Sequence, residues 1–227
     1  MINVTPAIIP KTYQLLREEM ETVSKLVDRV QVDIMDGHFA PEATWPYSGG
    51  REQARFDEIV AQERGFPHWR DVQFEIDLMV QNPKDVIDDW IKSGASTIIV
   101  HFDSTRKFSA IASRLKDRGV AVGMAILPSN RNTVVEKHRK EIDFLQVMGN
   151  DKIGYHGVQL DPLVYDKLED LRDRFPDLPI GVDIGVDFST APKLVEAGAT
   201  RLVSGSAIFE AEDPKYAIEK LRNVDSW

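Results

Sequence analysis

The sequence predicts a single (β/α)8 (TIM) barrel over residues 1–227, on three observations. Eight short apolar runs of strand length alternate with stretches that carry, or have room for, a helix. Most of these runs lack polar alternation, the pattern of parallel strands covered on both faces. Gly94, Gly119 and Gly198 each sit just past a helical stretch and just before an apolar run, where a helix end calls for a left-handed cap. Eight βα units in about 220 residues fit a closed barrel. An open doubly wound sheet is the alternative, but no Gly-x-Gly-x-x-Gly follows the first strand.

Val4 to Ile9 is an apolar run stopped by Pro10, and Thr12 to Val27 repeats apolar residues at helical spacing (Leu15, Leu16, Met20, Val23). Val30 to Met35 is the second strand. Pro41 to Gly50, with its prolines, glycines and aromatics, is a long loop, and Arg51 to Arg64 carries a weak helical pattern. Strand three spans Val72 to Val80, followed by a helix over Lys84 to Lys92. The alternation then becomes regular. Strands at Thr97–Phe102, Val120–Leu127 and Phe144–Met148 precede helices at Arg106–Asp117, Asn132–Lys140 and Pro162–Arg174. Strands at Ile180–Ile184 and Arg201–Ser204 precede helices at Thr190–Ala197 and Pro214–Leu221.

A net charge of −9 with no basic block argues against nucleic acid as a partner. No apolar run approaches the roughly 20 residues of a membrane helix. The start of the chain shows no secretory leader and there are no cysteines, so a cytoplasmic setting without disulfides or thiolate metal sites is expected.

In a barrel of this kind the site lies at the C-terminal ends of the strands. Gln31 and Asp33 share one face of strand two, and Glu75 and Asp77 repeat the spacing on strand three. With Asp183 at the end of strand seven, several carboxylates converge on one mouth, where they repel one another unless a cation sits among them. Outward-facing carboxylates that cap helices or pair with lysines are the alternative for each taken singly. Asp33 and Asp183 are favoured as functional, since neither has a basic neighbour in sequence. Gly205 and Ser206 open a short helix after strand eight, a place where backbone N–H groups hold a phosphate. Gly154 and Gly157 after strand six and Gly185 after strand seven add donors, each with a simple turn as the competing reading. His101 ends strand four, either facing the pocket or satisfied in the core. His38 and His156 lie in loops where substrate contact is possible, and His68 and His138 read as surface residues. Met35, Met79 and Met148 fall near strand ends as core filler or as a water-excluding pocket wall.

Taken together, VDIMDGHFAP at 32–41, DLMVQNP at 77–83, GASTIIVH at 94–101, GMAILPS at 123–129, VDIGV at 182–186 and EAGATRLVSGSAIF at 196–209 resemble the ribulose-phosphate 3-epimerases. The resemblance covers nearly the whole chain. It implies inversion at C3 of a ketose phosphate, D-ribulose 5-phosphate to D-xylulose 5-phosphate, by two aspartates working through an enediolate beside a divalent metal. Asp33 and Asp183 match those aspartates. Gly154, His156, Gly157, Gly185, Gly205 and Ser206 match the phosphate grip, and Met35, Met79 and Met148 match the methionine wall. The family also implies a homo-oligomer. Two metal-binding histidines of the family are here Gln31 and Asp77, its first-strand serine is Ala7, and the first of two glycines after the strand-seven aspartate is Ile184. The ligand set becomes Gln31, Asp33, Asp77 and Asp183, all oxygen, which favours Mg²⁺ or Mn²⁺ over Zn²⁺. The runner-up readings are a phosphosugar-binding homologue with impaired catalysis and, further behind, a lyase of the same superfamily. The lyases use Asp-x-Lys-x-x-Asp on strand three, and the matching segment here, Glu75 to Val80, has no lysine.

Overall fold

Parallel strands need both faces covered, and the computed structural model, which describes residues 2–155 and 157–224, shows how this chain covers them. Eight parallel strands hydrogen-bond in sequence order and close as a barrel. In chain order they are β1 (Asn3–Ile8), β2 (Arg29–Met35), β3 (Gln73–Met79), β4 (Thr97–His101), β5 (Ala121–Ile126), β6 (Phe144–Met148), β7 (Ile180–Asp183) and β8 (Arg201–Ser204). The helices between them are α1 (Tyr13–Val23), α2 (Gly50–Val60), α3 (Ile87–Lys92), α4 (Phe108–Lys116), α5 (Thr133–His138), α6 (Leu163–Arg174) and α7 (Ala191–Glu196). After β8 come α8 (Ser206–Phe209) and α9 (Pro214–Arg222). By density of internal packing the chain divides into two units, Ala7–Val122 and the combination of Met1–Pro6 with Gly123–Trp227.

In the first unit, Val30, Val32 and Ile34 are fully buried on one face of β2, and Gln31, Asp33 and Met35 are buried on the other. The second face carries the polar groups. Because β2 and β3 pair as Gln31↔Glu75, Asp33↔Asp77 and Met35↔Met79, those residues form three matched levels of one sheet face. The long loop after β2 is not loosely held. Trp45 is fully buried and meets the rings of Phe56, Phe66 and Trp90 at centroid distances of 5.5–6.0 Å. Asp36 accepts hydrogen bonds from the N–H groups of His38 (2.9 Å) and Phe39 (3.0 Å), closing a turn, and from Gln81 N–H (2.8 Å) after β3. One carboxylate thus ties the loops after two neighbouring strands.

In the second unit, β6 and β7 pair as Gln146↔Gly181 and Met148↔Asp183. The helix starts follow their capping chemistry: Asp213 accepts the N–H groups of Lys215 and Tyr216 ahead of Pro214 in α9, as Thr12 accepts that of Leu15 at α1 in the first unit.

The expected glycine caps are present, with φ of +91° at Gly94, +72° at Gly119 and +113° at Gly198. Several expected helices are shorter. The helix expected over Thr12–Val27 stops at Val23, where Ser24 begins the turn into β2. That over Lys84–Lys92 splits into a 3₁₀ turn at Pro83–Asp85 and α3, because left-handed Asn82 (φ +55°) and Pro83 start the chain on i→i+3 bonds. Gly50, read as loop, opens α2. His138, expected on the surface, is buried at the end of α5 with Nδ1 2.8 Å from Glu141 Oε2.

Candidate functional site

The polar groups at the strand ends are buried, so each has to be satisfied by neighbours or by a bound ion. Asp77 is fully buried on β3, and Oδ1 lies 3.0 Å from His101 Nε2 at the end of β4. His101 is itself buried and takes the edge of Phe39 at a centroid distance of 5.4 Å. Of its two expected settings, His101 therefore occupies the satisfied one, as partner to a carboxylate. On β2, Gln31 Nε2 donates to Asp33 Oδ1 at 2.8 Å. The Asp33 carbonyl accepts from Thr44 Oγ1 at 3.1 Å, which fixes the strand end from the loop side. One level below, Glu75 Oε2 lies 3.5 Å from Arg29 on β2.

On β7, Asp183 Oδ2 accepts from Gln146 Nε2 at 3.2 Å. The chain beyond Asp183 takes an unusual course. Ile184 has φ +81° and Gly185 φ +70°. At Gly185 the φ value and the space both require glycine, since a Cβ there would stand 2.4 Å from Leu160 N. At Ile184 a β-branched residue is held in a region that costs an L-residue about 1–2 kcal/mol. Ile184→Gly is expected to leave unfolding free energy level or raise it by up to about 1 kcal/mol, strain relief being offset by glycine's backbone entropy. A urea unfolding curve showing a loss above about 1 kcal/mol would mean that the Ile184 side-chain contacts outweigh its strain.

The loops after β6, β7 and β8 are joined in series. The β6 loop closes through Asp161 N–H to Gly149 O (2.7 Å) and Asn150 Nδ2 to Gln159 O (3.1 Å), and its Leu160 lies against Gly185. Ser204 Oγ at the end of β8 donates to Val186 O at 2.8 Å. Asp187 fastens the β7 loop to α7. Burial raises its pKa, but hydrogen bonds from Ser189 and Thr190 outweigh this and hold the carboxyl below its ordinary range. That tether is therefore present at neutral pH and is lost only as pH falls through the lowered value. Gly154 (φ +81°) and Gly157 (φ +68°) lie in the β6 loop, while Gly205 caps the exposed Ser206 that starts α8. His156 lies outside the described residues. Met35, Met79 and Met148 are all buried, Met148 directly opposite Asp183 in the β6–β7 register.

Among the described residues, Asp33, Asp77 and Asp183 each offer a carboxylate oxygen within 4.8 Å of the others, and all three are buried. Buried like charges at this separation call for a cation or a shared proton. Three such carboxylates could hold a metal ion, and one of them, Asp77, is also contacted by His101. Sequence reasoning passed over Gln146. Its signal was its place two residues before Met148, on the same face of its strand.

A family model described as the ribulose-phosphate 3 epimerase family matches residues 3–209. A ribulose-phosphate 3-epimerase of Schizosaccharomyces pombe is 30% identical over 97% of this chain and 92% of its own length. One of Bacillus subtilis is 30% identical over 98% and 99%. Among solved structures, one of KGPDC from Streptococcus mutans superposes with a TM-score of 0.73 at 12% identity, covering 99% of this chain and 97% of that one. A 3-hexulose-6-phosphate synthase gives 0.67 at 20% identity, covering 99% of each chain. At these identities the structural likeness speaks for the barrel alone.

Proposed function

This chain belongs to the ribulose-phosphate 3-epimerase family, and from that premise we propose that it interconverts D-ribulose 5-phosphate and D-xylulose 5-phosphate with Asp33 and Asp183 as the two proton-transfer groups. The observation that carries the reading is the cluster of Asp33, Asp77 and Asp183 at the strand ends.

The hydrogen on C3 is acidic because it lies beside the C2 carbonyl. One aspartate, as carboxylate, takes that proton. The C–H electron pair moves toward C2 and leaves an enediolate with a planar C3. The second aspartate, in its carboxylic acid form, delivers a proton to the opposite face of C3 and is left ionised. One group gains the proton the other loses, and exchange with solvent resets the pair. Gln31, Asp33, Asp77 and Asp183 would hold a divalent cation, Mg²⁺ or Mn²⁺ in preference to Zn²⁺, which when bound supplies Lewis-acid stabilisation of negative charge on the sugar oxygens. Asp77, hydrogen-bonded by His101, serves as ligand rather than base.

The phosphate is assigned to the backbone N–H groups of Gly154, Gly157, Gly185, Gly205 and Ser206, with His156 in the same loop as a further contact. Two links support that assignment: Leu160 of the β6 loop lies against Gly185 of the β7 loop, and Ser204 at the end of β8 donates to Val186 O in the β7 loop. Met35, Met79 and Met148, each buried, are assigned to keeping water from the enediolate. No helix among the described residues is long and apolar enough to cross a membrane. The family resemblance extends the reading to a homo-oligomer in the cytoplasm.

The test is solvent deuterium exchange at C3 of D-ribulose 5-phosphate, followed by NMR with and without Mn²⁺. Label is expected at C3 together with the appearance of the xylulose epimer, faster with Mn²⁺. Absence of exchange with every metal tried would overturn the reading.

A further inference from the structure

The two aspartates assigned to proton transfer share one local arrangement. Each has a carboxylate oxygen held by the side-chain amide of a fully buried glutamine: Gln31 Nε2 to Asp33 Oδ1 at 2.8 Å, and Gln146 Nε2 to Asp183 Oδ2 at 3.2 Å. The first pair lies along one strand, two residues apart. The second crosses from β6 to β7. On β7 the register partner of Gln146 is Gly181, two residues before Asp183, so the amide reaches diagonally along the same sheet face. A buried primary amide is costly unless its N–H groups are used. A methionine or leucine would fill this position on β6 without that cost, so a glutamine there calls for a reason in the group it contacts.

We infer that Gln146 is a positioning residue for Asp183, its amide N–H holding Oδ2 so that the other oxygen is the one presented to C3. A carboxylate turns easily about its terminal torsion. A group that must accept or deliver a proton along one line gains from having one oxygen fixed, as near-attack geometry requires. The inference rests on the epimerase reading above and adds a residue to it.

Two measurements separate this role from a packing role. The first starts from each epimer in D₂O and compares C3 labelling of unconverted sugar with inversion, in wild type and in Gln146→Met, which keeps length and removes the donor. With Asp183 misdirected, the epimer deprotonated by Asp33 should have its label returned to the same face. Its exchange-to-inversion ratio should rise about tenfold, while the ratio from the other epimer stays near the wild-type value and KM changes little. The second is a calorimetric titration with Mn²⁺ alone, in which Gln146→Met should bind about tenfold more weakly. Gln146→Asn, whose amide falls short of Asp183, reads the same two quantities should the methionine variant fail to fold. Ratios unchanged or shifted equally from both epimers, or an unaltered Mn²⁺ affinity, would overturn the inference. A wild-type protein that binds Mn²⁺ yet neither exchanges nor inverts would instead sink the epimerase reading, and this role with it.

Discussion

Asp183→Asn and Asp33→Asn should each lower kcat for C3 inversion by about 10²–10⁴-fold, the range for loss of a positioned general acid or base, with KM changed far less. The amide is isosteric with the carboxylate, so the shape of each strand end persists. What it cannot do near neutral pH is take up a proton from carbon. The phosphate is proposed to bind at the loops after β6, β7 and β8, and the links among them through Leu160, Gly185, Ser204 and Val186 do not use either carboxylate side chain. Substrate binding should therefore largely survive. A second effect should run the other way. Removing one of three buried carboxylates whose oxygens lie within 4.8 Å of one another relieves like-charge repulsion, so each variant should melt above the wild type when both are free of metal. Loss of activity without that rise would fit a generally damaged fold. Retention of wild-type kcat by either variant would remove that aspartate from the mechanism.

The second large effect is expected at the ligand set. Converting Gln31→His and Asp77→His together gives two imidazoles and two carboxylates, the set that the family resemblance implies. Preference should then move from Mg²⁺ or Mn²⁺ toward Zn²⁺ by about tenfold or more in competitive titration, since imidazole suits zinc and an all-oxygen set suits the harder ions. The substitution at Asp77 also removes the carboxylate that His101 contacts at 3.0 Å, so part of the change should come from a less firmly oriented neighbour. Wild-type protein that selects Zn²⁺ over Mn²⁺ from an equal mixture would contradict the hard-cation assignment. So would a double variant with unaltered preference.

The barrel was legible because its signals are local: apolar runs of strand length, helical spacing between them, and glycine where a helix must end. Asp33, Asp77 and Asp183 were legible because a carboxylate in an apolar run is conspicuous wherever the run later pairs. Relations between strands were not. That Asp33 stands level with Asp77, or that Gln146 reaches diagonally past Gly181, depends on register, which a single strand does not carry. The setting of His101 was open for the same reason, since its partner lies 24 residues away on β3. The residue type of Ile184 does not suggest its left-handed backbone; the one signal is that it stands where the family resemblance has a glycine. His138 looked like surface because it falls in a charged stretch, yet it is buried with Glu141, in the turn just after α5, as a partner. Helix ends were misplaced where a proline or a left-handed residue set the boundary, as at Asn82-Pro83.

The carboxylate of Asp36 binds the turn after β2 to the first residues after β3, and Phe39 on that turn rests against His101. Those residues are thus ordered when the chain folds and do not wait for a sugar to arrive. Under the proposed function, binding energy gained on the phosphate need not be diverted into immobilising this side of the mouth, and substrate would meet a preformed template here.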